Sequence, residues 1–243
     1  MLKLLNFDKI LQQASTKYLA LPESRQKQLK ESLDNGKAIL RNENQMNAYL
    51  HHYGEIHRHK LLRAYRNLPP SLFNGNFSVI DWGCGQGLAS IVLDEFIERE
   101  KGLSRAITDI TLIEPSNICL RRAIANINWS LPKGLLSYLN KKEEAVLPED
   151  LCMQENKILH VLSNVIDLPE FTGEGIKKYL SQSCKSRHII VMVSPFYPED
   201  GRGKRMDEFC NSLKGFRKVY SFQKHIGEWE EDYSCQIRIL DNW

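Results

Sequence analysis

Apolar side chains recur at helical spacing through the first third of the chain. Residues 8–20 and 24–40 each show this spacing, and Pro22 lies between them. No stretch before residue 72 has the alternating or continuous apolar pattern of a strand. We therefore expect residues 1–72 to form an N-terminal helical arm or cap.

A third helix of this arm has clear predicted ends. Asn42, with Gln45 three residues later, predicts a capping box at its start. Pro69-Pro70 predicts its end, because proline removes a backbone donor and restricts the residue before it. Between these ends one amphipathic stripe is formed by Met46, Leu50, Tyr53, His57, Leu61, Ala64 and Leu68.

Continuous apolar runs alternate with helical patterns in the rest of the chain. Buried-type strands are predicted over 77–81, 110–114, 157–162 and 188–193. Helices are predicted over about 87–100, 117–128, 170–184 and 203–213. This order predicts an α/β fold over residues 73–243, with a doubly wound, mostly parallel sheet that has helices on both faces.

Two parts of this domain have weaker patterns. A short strand is expected near 135–139 or near 145–147, and the sequence does not choose between the two positions. Two half-buried strands are predicted over about 216–223 and 233–240, with no helix between them. We expect these last two strands to pair antiparallel.

A glycine-rich turn joins the first predicted strand to the first predicted helix of the domain. Its sequence is Asp81-Trp82-Gly83-Cys84-Gly85-Gln86-Gly87. Glycines allow the backbone to turn tightly and to approach a ligand without a Cβ in the way. The N-terminus of the following helix offers unpaired N–H groups to an anionic or polar group. The stretch therefore predicts a nucleotide-binding loop.

This loop resembles motif I of the class I S-adenosylmethionine-dependent methyltransferases, because an acidic residue closes the strand and the glycines are spaced G-x-G-x-G. The resemblance implies a Rossmann-like, seven-stranded sheet whose last strand is inserted antiparallel. It also implies that S-adenosylmethionine is the cofactor and that the loop wraps its methionine part. The residues that it implies for cofactor binding are Asp81, Gly83, Cys84, Gly85, Gly87, Glu114, Pro115, Ser163 and Asn164.

Glu114 ends the second predicted strand of the domain. A carboxylate at this place can accept hydrogen bonds from both hydroxyls of a ribose, and such bonds are stronger than neutral ones. In the resemblance Glu114 falls on motif II, with Pro115 and Ser116 beside the adenine. Ser116 also predicts a helix N-cap. For the remaining adenine contacts we name Asn140 and Glu144 as candidates.

The turn Ser163-Asn164-Val165-Ile166-Asp167 follows the strand over 157–162. In the resemblance it falls on motif IV, which faces the reacting methyl group. Asn164 offers a donor and an acceptor, and Asp167 offers a base or a helix cap. The turn lacks the Asn/Asp-Pro-Pro-Tyr tetrapeptide of many enzymes that methylate base amines, which argues against that reaction.

The catalytic candidates are Asn164, Asp167 and His57, and the sequence assigns the role to none of them. A carboxylate or an activated amine as acceptor would need no base, whereas a hydroxyl would need one such as His57 or Asp167. The turn Ser194-Pro195-Phe196-Tyr197-Pro198, with Arg202 and Arg205, is interpreted either as a wall for the substrate or as a rigid proline turn.

Composition narrows the class of protein only moderately. The formal net charge is +3, so binding to RNA is weakly supported. The six cysteines include no C-x-x-C pair, and His51, His52, His57 and His59 include no pair four residues apart, so we expect no metal site. No apolar run approaches the ~20 residues of a membrane span, and no signal peptide is evident, so a cytoplasmic protein is expected.

Three functions stay open at this point. The first is methyl transfer from S-adenosylmethionine to a small molecule, RNA or protein. The second is a non-catalytic relative of such enzymes that serves as a partner protein. The third is a nicotinamide-dependent oxidoreductase. This class is disfavoured because the loop of such enzymes has the spacing G-x-G-x-x-G, which this chain lacks.

Overall fold

A computed structural model describes residues 6–36, 38–103, 106–128, 136–183, 185–197, 202–225 and 234–243. Seven strands form one sheet in the order β3-β2-β1-β4-β5-β7-β6. β7 runs antiparallel between β5 and β6, and the other neighbouring pairs are parallel. The strands are β1 Phe77–Trp82, β2 Ile107–Ile113, β3 Leu136–Leu139, β4 Lys157–Ser163, β5 Arg187–Ser194, β6 Arg217–Lys224 and β7 Cys235–Asp241. The prediction of a doubly wound, mostly parallel seven-stranded sheet is confirmed.

Helices cover both faces of the sheet because its central strands are apolar on both sides. Val79 packs in the core beneath α1, α3, α4 and α5, whereas its neighbour Ile80 packs in the core beneath α6 and α7. The helices are α1 Asn6–Leu19, α2 Glu23–Ser32, α3 Glu43–Arg66, α4 Leu88–Glu100, α5 Asn117–Ile127, α6 Glu174–Gln182 and α7 Arg202–Ser212.

The N-terminal helices lie against α4. Tyr65 Oη at the end of α3 donates to Ala89 O of α4 (2.9 Å), and the Phe7 N–H of α1 donates to Glu95 Oε1 (2.9 Å). The apolar cluster of α1 and α3 continues into β1 and β4. The helical arm and the sheet thus share one apolar core, and the division of the chain into two domains at residue 72 stays a prediction.

The capping residues of α3 act much as the sequence predicts. The Gln45 N–H donates to Asn42 Oδ1 (3.0 Å), while the Gln45 side chain accepts from the Arg41 N–H (2.8 Å), one residue earlier than in the standard capping box.

The predicted helix over 24–40 is wrong beyond Ser32. Asp34, Asn35 and Gly36 have φ of 44°, 51° and 85°, which no α-helix contains.

One open alternative is resolved, and one further boundary differs from the prediction. The short strand is at 136–139, and residues 143–145 form a single 3₁₀ turn instead. The helix predicted over 170–184 begins only at Glu174, because Gly173 has a φ of 73°; Cys184 lies outside the described residues. In the part of the chain that the structure describes, no helix has the length and hydropathy needed to cross a membrane.

Candidate functional site

A cleft of about 760 Å³ opens where β1, β2 and β4 end at their carboxyl termini. This edge is where open α/β sheets bind their ligands. The floor is formed by the loops after these three strands, and a cover is formed by Gly36, residues 38–41 and two side chains of α3, Tyr49 and His57. The sheet therefore brings together three of the segments that the sequence singles out.

The glycine loop depends on glycine at three positions. Gly83, Gly85 and Gly87 have φ of 66°, 54° and 79°, in the left-handed region that other residues seldom adopt. A Cβ on Gly83 would collide with Val165, and one on Gly87 would lie 3.2 Å from Ala123 Cα. Around a Cβ on Gly85 no atom would lie within 4 Å. Gly85, which lines the cleft, therefore leaves its space free for a ligand.

Glu114 joins the glycine loop to the N-terminus of α5. Its Oε2 accepts from the Gly85 N–H (3.0 Å), and its Oε1 accepts from the Ser116 N–H (2.9 Å). Burial raises the pKa of Glu114, and the two backbone N–H groups oppose that rise. Since each carboxylate oxygen has two lone-pair sites, one remains on each oxygen for a further donor. Glu114 lines the cleft, as do its neighbours Pro115 and Ser116.

Asp81 lies beneath the loop and does not line the cleft. Its side chain is 1% exposed, and its Oδ2 accepts from Ser90 Oγ of α4 (2.7 Å). Its Oδ1 is buried and has no hydrogen-bond partner among the described residues. Burial raises the pKa of Asp81 to about 7. A direct contact between Asp81 and a ligand therefore stays a prediction, as does one from Gly87, which also does not line the cleft.

The turn after β4 is bonded to the helical arm. Asn164 has a φ of 57°, and its Nδ2 lies 2.8 Å from His57 Nδ1 of α3 and 3.1 Å from Ser163 Oγ. His57 Nε2 lies 2.9 Å from Tyr49 Oη, one further step along the cover. Both ring nitrogens of His57 are thus occupied. Ser163 and Asn164 line the cleft together with Tyr49 and His57.

His57 is expected to make stability depend on pH. Burial, with a smaller effect from Lys60, lowers its pKa to about 3 from 6.5 in the unfolded chain. The unfolded chain therefore binds more protons between these values, so the contribution of neutral His57 is complete above pH 6.5 and falls below it. The stability of the wild type relative to a His57→Gln variant should decrease by about 1.4 kcal/mol per pH unit below 6.5.

Denaturant unfolding of both proteins at several pH values measures this difference. The comparison cancels the titration of the other buried groups, which both proteins share. A difference that does not change between pH 6.5 and about pH 5 would contradict a neutral, buried His57.

The remaining candidates have varied positions. Asp167 is buried, accepts from Ser194 Oγ (2.9 Å) and does not line the cleft. Asn140 Nδ2 donates to the backbone oxygens of Glu114 and Pro115 (both 2.9 Å), and exposed Glu144 lines the cleft. Tyr197 is 46% exposed, whereas Pro198 and the side chain of Arg202 lie outside the described residues.

Sequence reasoning missed two parts of the site. The first is the segment 38–41, most of which lies within the helix predicted over 24–40. The second is Tyr49, which lies four residues before Tyr53 and eight before His57, on the same side of α3. Widening the apolar stripe by the residue before Leu50, four residues before Tyr53, would have found Tyr49. Among the described residues no group of three or more His, Cys, Asp or Glu side chains is placed to hold a metal ion.

Comparisons with known proteins show similarity in structure alone. No family model matches this sequence, and no curated protein matches it either. A Leishmania major S-adenosylmethionine-dependent methyltransferase superposes with a TM-score of 0.51 at 14% identity, over 95% of this chain and 90% of that one. The magnesium protoporphyrin IX methyltransferase of Synechocystis, solved with bound S-adenosylmethionine, has a TM-score of 0.49 at 12% identity, over the full length of both chains. Together with the sheet order, the Leishmania superposition shows that the chain has a Rossmann-like methyltransferase fold.

Proposed function

We propose that this protein binds S-adenosylmethionine in the cleft and transfers its methyl group to an acceptor. One observation carries the proposal: Glu114 and the glycine loop are bonded to each other at the floor of one cleft, and both retain free capacity toward it. Glu114 has an open lone-pair site on each oxygen, and Gly85 leaves the adjoining space empty. This donor and acceptor set fits a nucleoside with two vicinal hydroxyls.

Different residues along the sheet edge would bind different parts of the cofactor. Glu114 would accept from the ribose hydroxyls, and the glycine loop would hold the methionine part of the cofactor. The cover formed by α3 and residues 38–41 keeps water from the reacting groups and fixes their orientation, which is worth ~7–11 kcal/mol in well-placed reactants. When bound, the cofactor supplies a methyl group on a sulfonium, which is already a good leaving group.

Neither of the two ionisable candidates, His57 and Asp167, is available as a base. His57 has both ring nitrogens in hydrogen bonds, and burial lowers its pKa to about 3. Asp167 is buried and bonded to Ser194. We therefore propose an acceptor that reacts without help from these two, such as an amine or a thiolate on a small molecule, RNA or protein.

Calorimetric titration of the purified chain with S-adenosylhomocysteine tests the proposal. We expect saturable binding of one molecule per chain, and no heat with reduced nicotinamide adenine dinucleotide at the same concentrations. Heat from the dinucleotide alone would favour an oxidoreductase instead. Heat from neither ligand, with a protein that melts cooperatively, would contradict cofactor binding and leave a non-catalytic partner protein as the better interpretation.

A further inference from the structure

The hydrogen bonds among Asn164, His57 and Tyr49 have a defined direction. With Nδ2 of Asn164 facing His57 and Ser163, both amide hydrogens are used and one acceptor, Oδ1, is left without a partner. In the flipped orientation the amide oxygen would face both groups, and the two hydrogens of Nδ2 would be buried without an acceptor. Since each unpaired buried group costs about 1–3 kcal/mol, the first orientation is the more stable.

This direction fixes the histidine tautomer. Asn164 donates to His57 Nδ1, so in the neutral ring the hydrogen is on Nε2. His57 Nε2–H then donates to Tyr49 Oη across 2.9 Å. Burial lowers the pKa of His57 and raises the pKa of Tyr49, so both groups keep these protonation states at neutral pH.

The chain of donors ends at the Tyr49 hydroxyl. Tyr49 Oη accepts from His57, and its own hydrogen has no acceptor among the contacts of the described residues. Tyr49 lines the cleft, and it lies beside Gly36, where a Cβ would be 3.7 Å from the Tyr49 ring. A ligand atom with a lone pair is the partner that this hydroxyl lacks.

The sheet order indicates which part of a ligand reaches Tyr49. Glu114 follows β2 and Asn164 follows β4, and β1 with its glycine loop lies between them. Because the resemblance implies that the glycine loop holds the methionine part, a cofactor with its sugar on Glu114 would place its amino-acid part beside Asn164 and Tyr49. Lys141 also lines the cleft, but it follows β3, on the side of β2 away from Asn164, and its ammonium forms an ion pair with Asp150 (2.6 Å).

We propose that Tyr49 donates a hydrogen bond to the carboxylate of the amino-acid part of S-adenosylmethionine. His57 and Asn164 are positioning residues, because they orient the Tyr49 hydroxyl and touch the carboxylate only through it. The inference rests on the proposed function, and it gives the helical arm a role in selecting the cofactor. The arm then recognises the end of the cofactor that methylthioadenosine lacks.

Calorimetry on a Tyr49→Phe variant separates this contact from the rest of the site. S-adenosylhomocysteine has the amino-acid part, and methylthioadenosine keeps the adenosine and the thioether without it. We expect Tyr49→Phe to weaken binding of S-adenosylhomocysteine roughly tenfold, as for loss of a hydrogen bond to a charged group, and to leave methylthioadenosine binding unchanged. Tyr53→Phe is the matched control, since Tyr53 is on the next turn of α3 and does not line the cleft; it should change neither affinity.

A double variant tests the positioning role. If His57 acts through Tyr49, then Tyr49→Phe with His57→Leu should bind S-adenosylhomocysteine no more weakly than Tyr49→Phe alone. Additive losses would contradict that role. Unchanged binding of S-adenosylhomocysteine in Tyr49→Phe, or equal losses for both ligands, would overturn the contact while the proposed function stands. If the wild type binds neither ligand, the proposed function itself fails, and this inference fails with it.

Discussion

Replacing Gly85 with arginine is expected to weaken binding of S-adenosylhomocysteine by more than about 100-fold, which corresponds to about 2.8 kcal/mol. No atom lies within 4 Å of the position of a Cβ on Gly85, and the residue lines the cleft. The arginine side chain would therefore occupy the space beside Glu114 that we assign to the ligand. Because nothing in the fold has to move to accept it, the protein itself should stay folded.

Gly75→Arg is a matched control for this variant. Gly75 also has a positive φ, 95° against 54° at Gly85, and a Cβ there would likewise have no atom within 4 Å. Both variants thus impose a side chain on an unfavourable backbone conformation, at a cost of about 1–2 kcal/mol. Gly75 lies in the exposed turn before β1, so its variant should bind with wild-type affinity. Calorimetry measures the affinity of both variants for S-adenosylhomocysteine, and thermal denaturation shows whether they are folded. Wild-type binding by Gly85→Arg would refute our location of the cofactor.

The sheet was predictable because its strands carry their own signal. Parallel strands buried on both faces read as continuous apolar runs, as in Ile189-Ile190-Val191 of β5, and the order of strands and helices then restricts the topology. β3 was ambiguous for the opposite reason. It is a four-residue edge strand in which Ser137 and Tyr138 are exposed, so neither a continuous run nor an alternation marks it.

The contact between Glu114 and Gly85 was within reach of the sequence, whereas the cover of the cleft was not. Both residues follow neighbouring parallel strands, and such positions meet at one edge of the sheet. The cover depends on the path of α3 across the glycine loop. That path is fixed by contacts between distant residues, such as the bond from Gln86 Nε2 to Met46 O (3.2 Å). A helical stripe predicts which side of α3 is buried but not what that side packs against.

Buried polar side chains within the apolar strands show the same limit. Trp82 Nε1 donates to His160 Nδ1 (3.1 Å), and His160 Nε2 lies 3.0 Å from His188 Nδ1. The sequence places His160 and His188 in two separate strands of apolar character, and Trp82 in the turn that directly follows a third. Only the register of β1, β4 and β5 brings them to one face of the sheet, where they satisfy one another.

Glu114→Ala is expected to weaken binding of S-adenosylhomocysteine by about 100-fold. The variant removes two hydrogen bonds from the ribose hydroxyls to a charged acceptor, each worth about 1.5 kcal/mol or more, and together they amount to about 3 kcal/mol. It also frees the N–H groups of Gly85 and Ser116, which the carboxylate holds in place. The loop then loses its link to the N-terminus of α5, so the remaining contacts to the ligand are less well ordered.

The control for this variant is Glu98→Ala, which removes the same charge from the exposed side of α4. It should bind S-adenosylhomocysteine with wild-type affinity, so a loss confined to Glu114→Ala cannot arise from net charge. Burial raises the pKa of Glu114, and hydroxyl donors favour its ionised form, so ligand binding should also lower that pKa. Affinity of the wild type should therefore fall at acidic pH more steeply than affinity of Glu114→Ala. Binding by Glu114→Ala within about threefold of the wild type at neutral pH would mean that the sugar lies elsewhere, since one hydrogen bond to a charged group is already worth more than that.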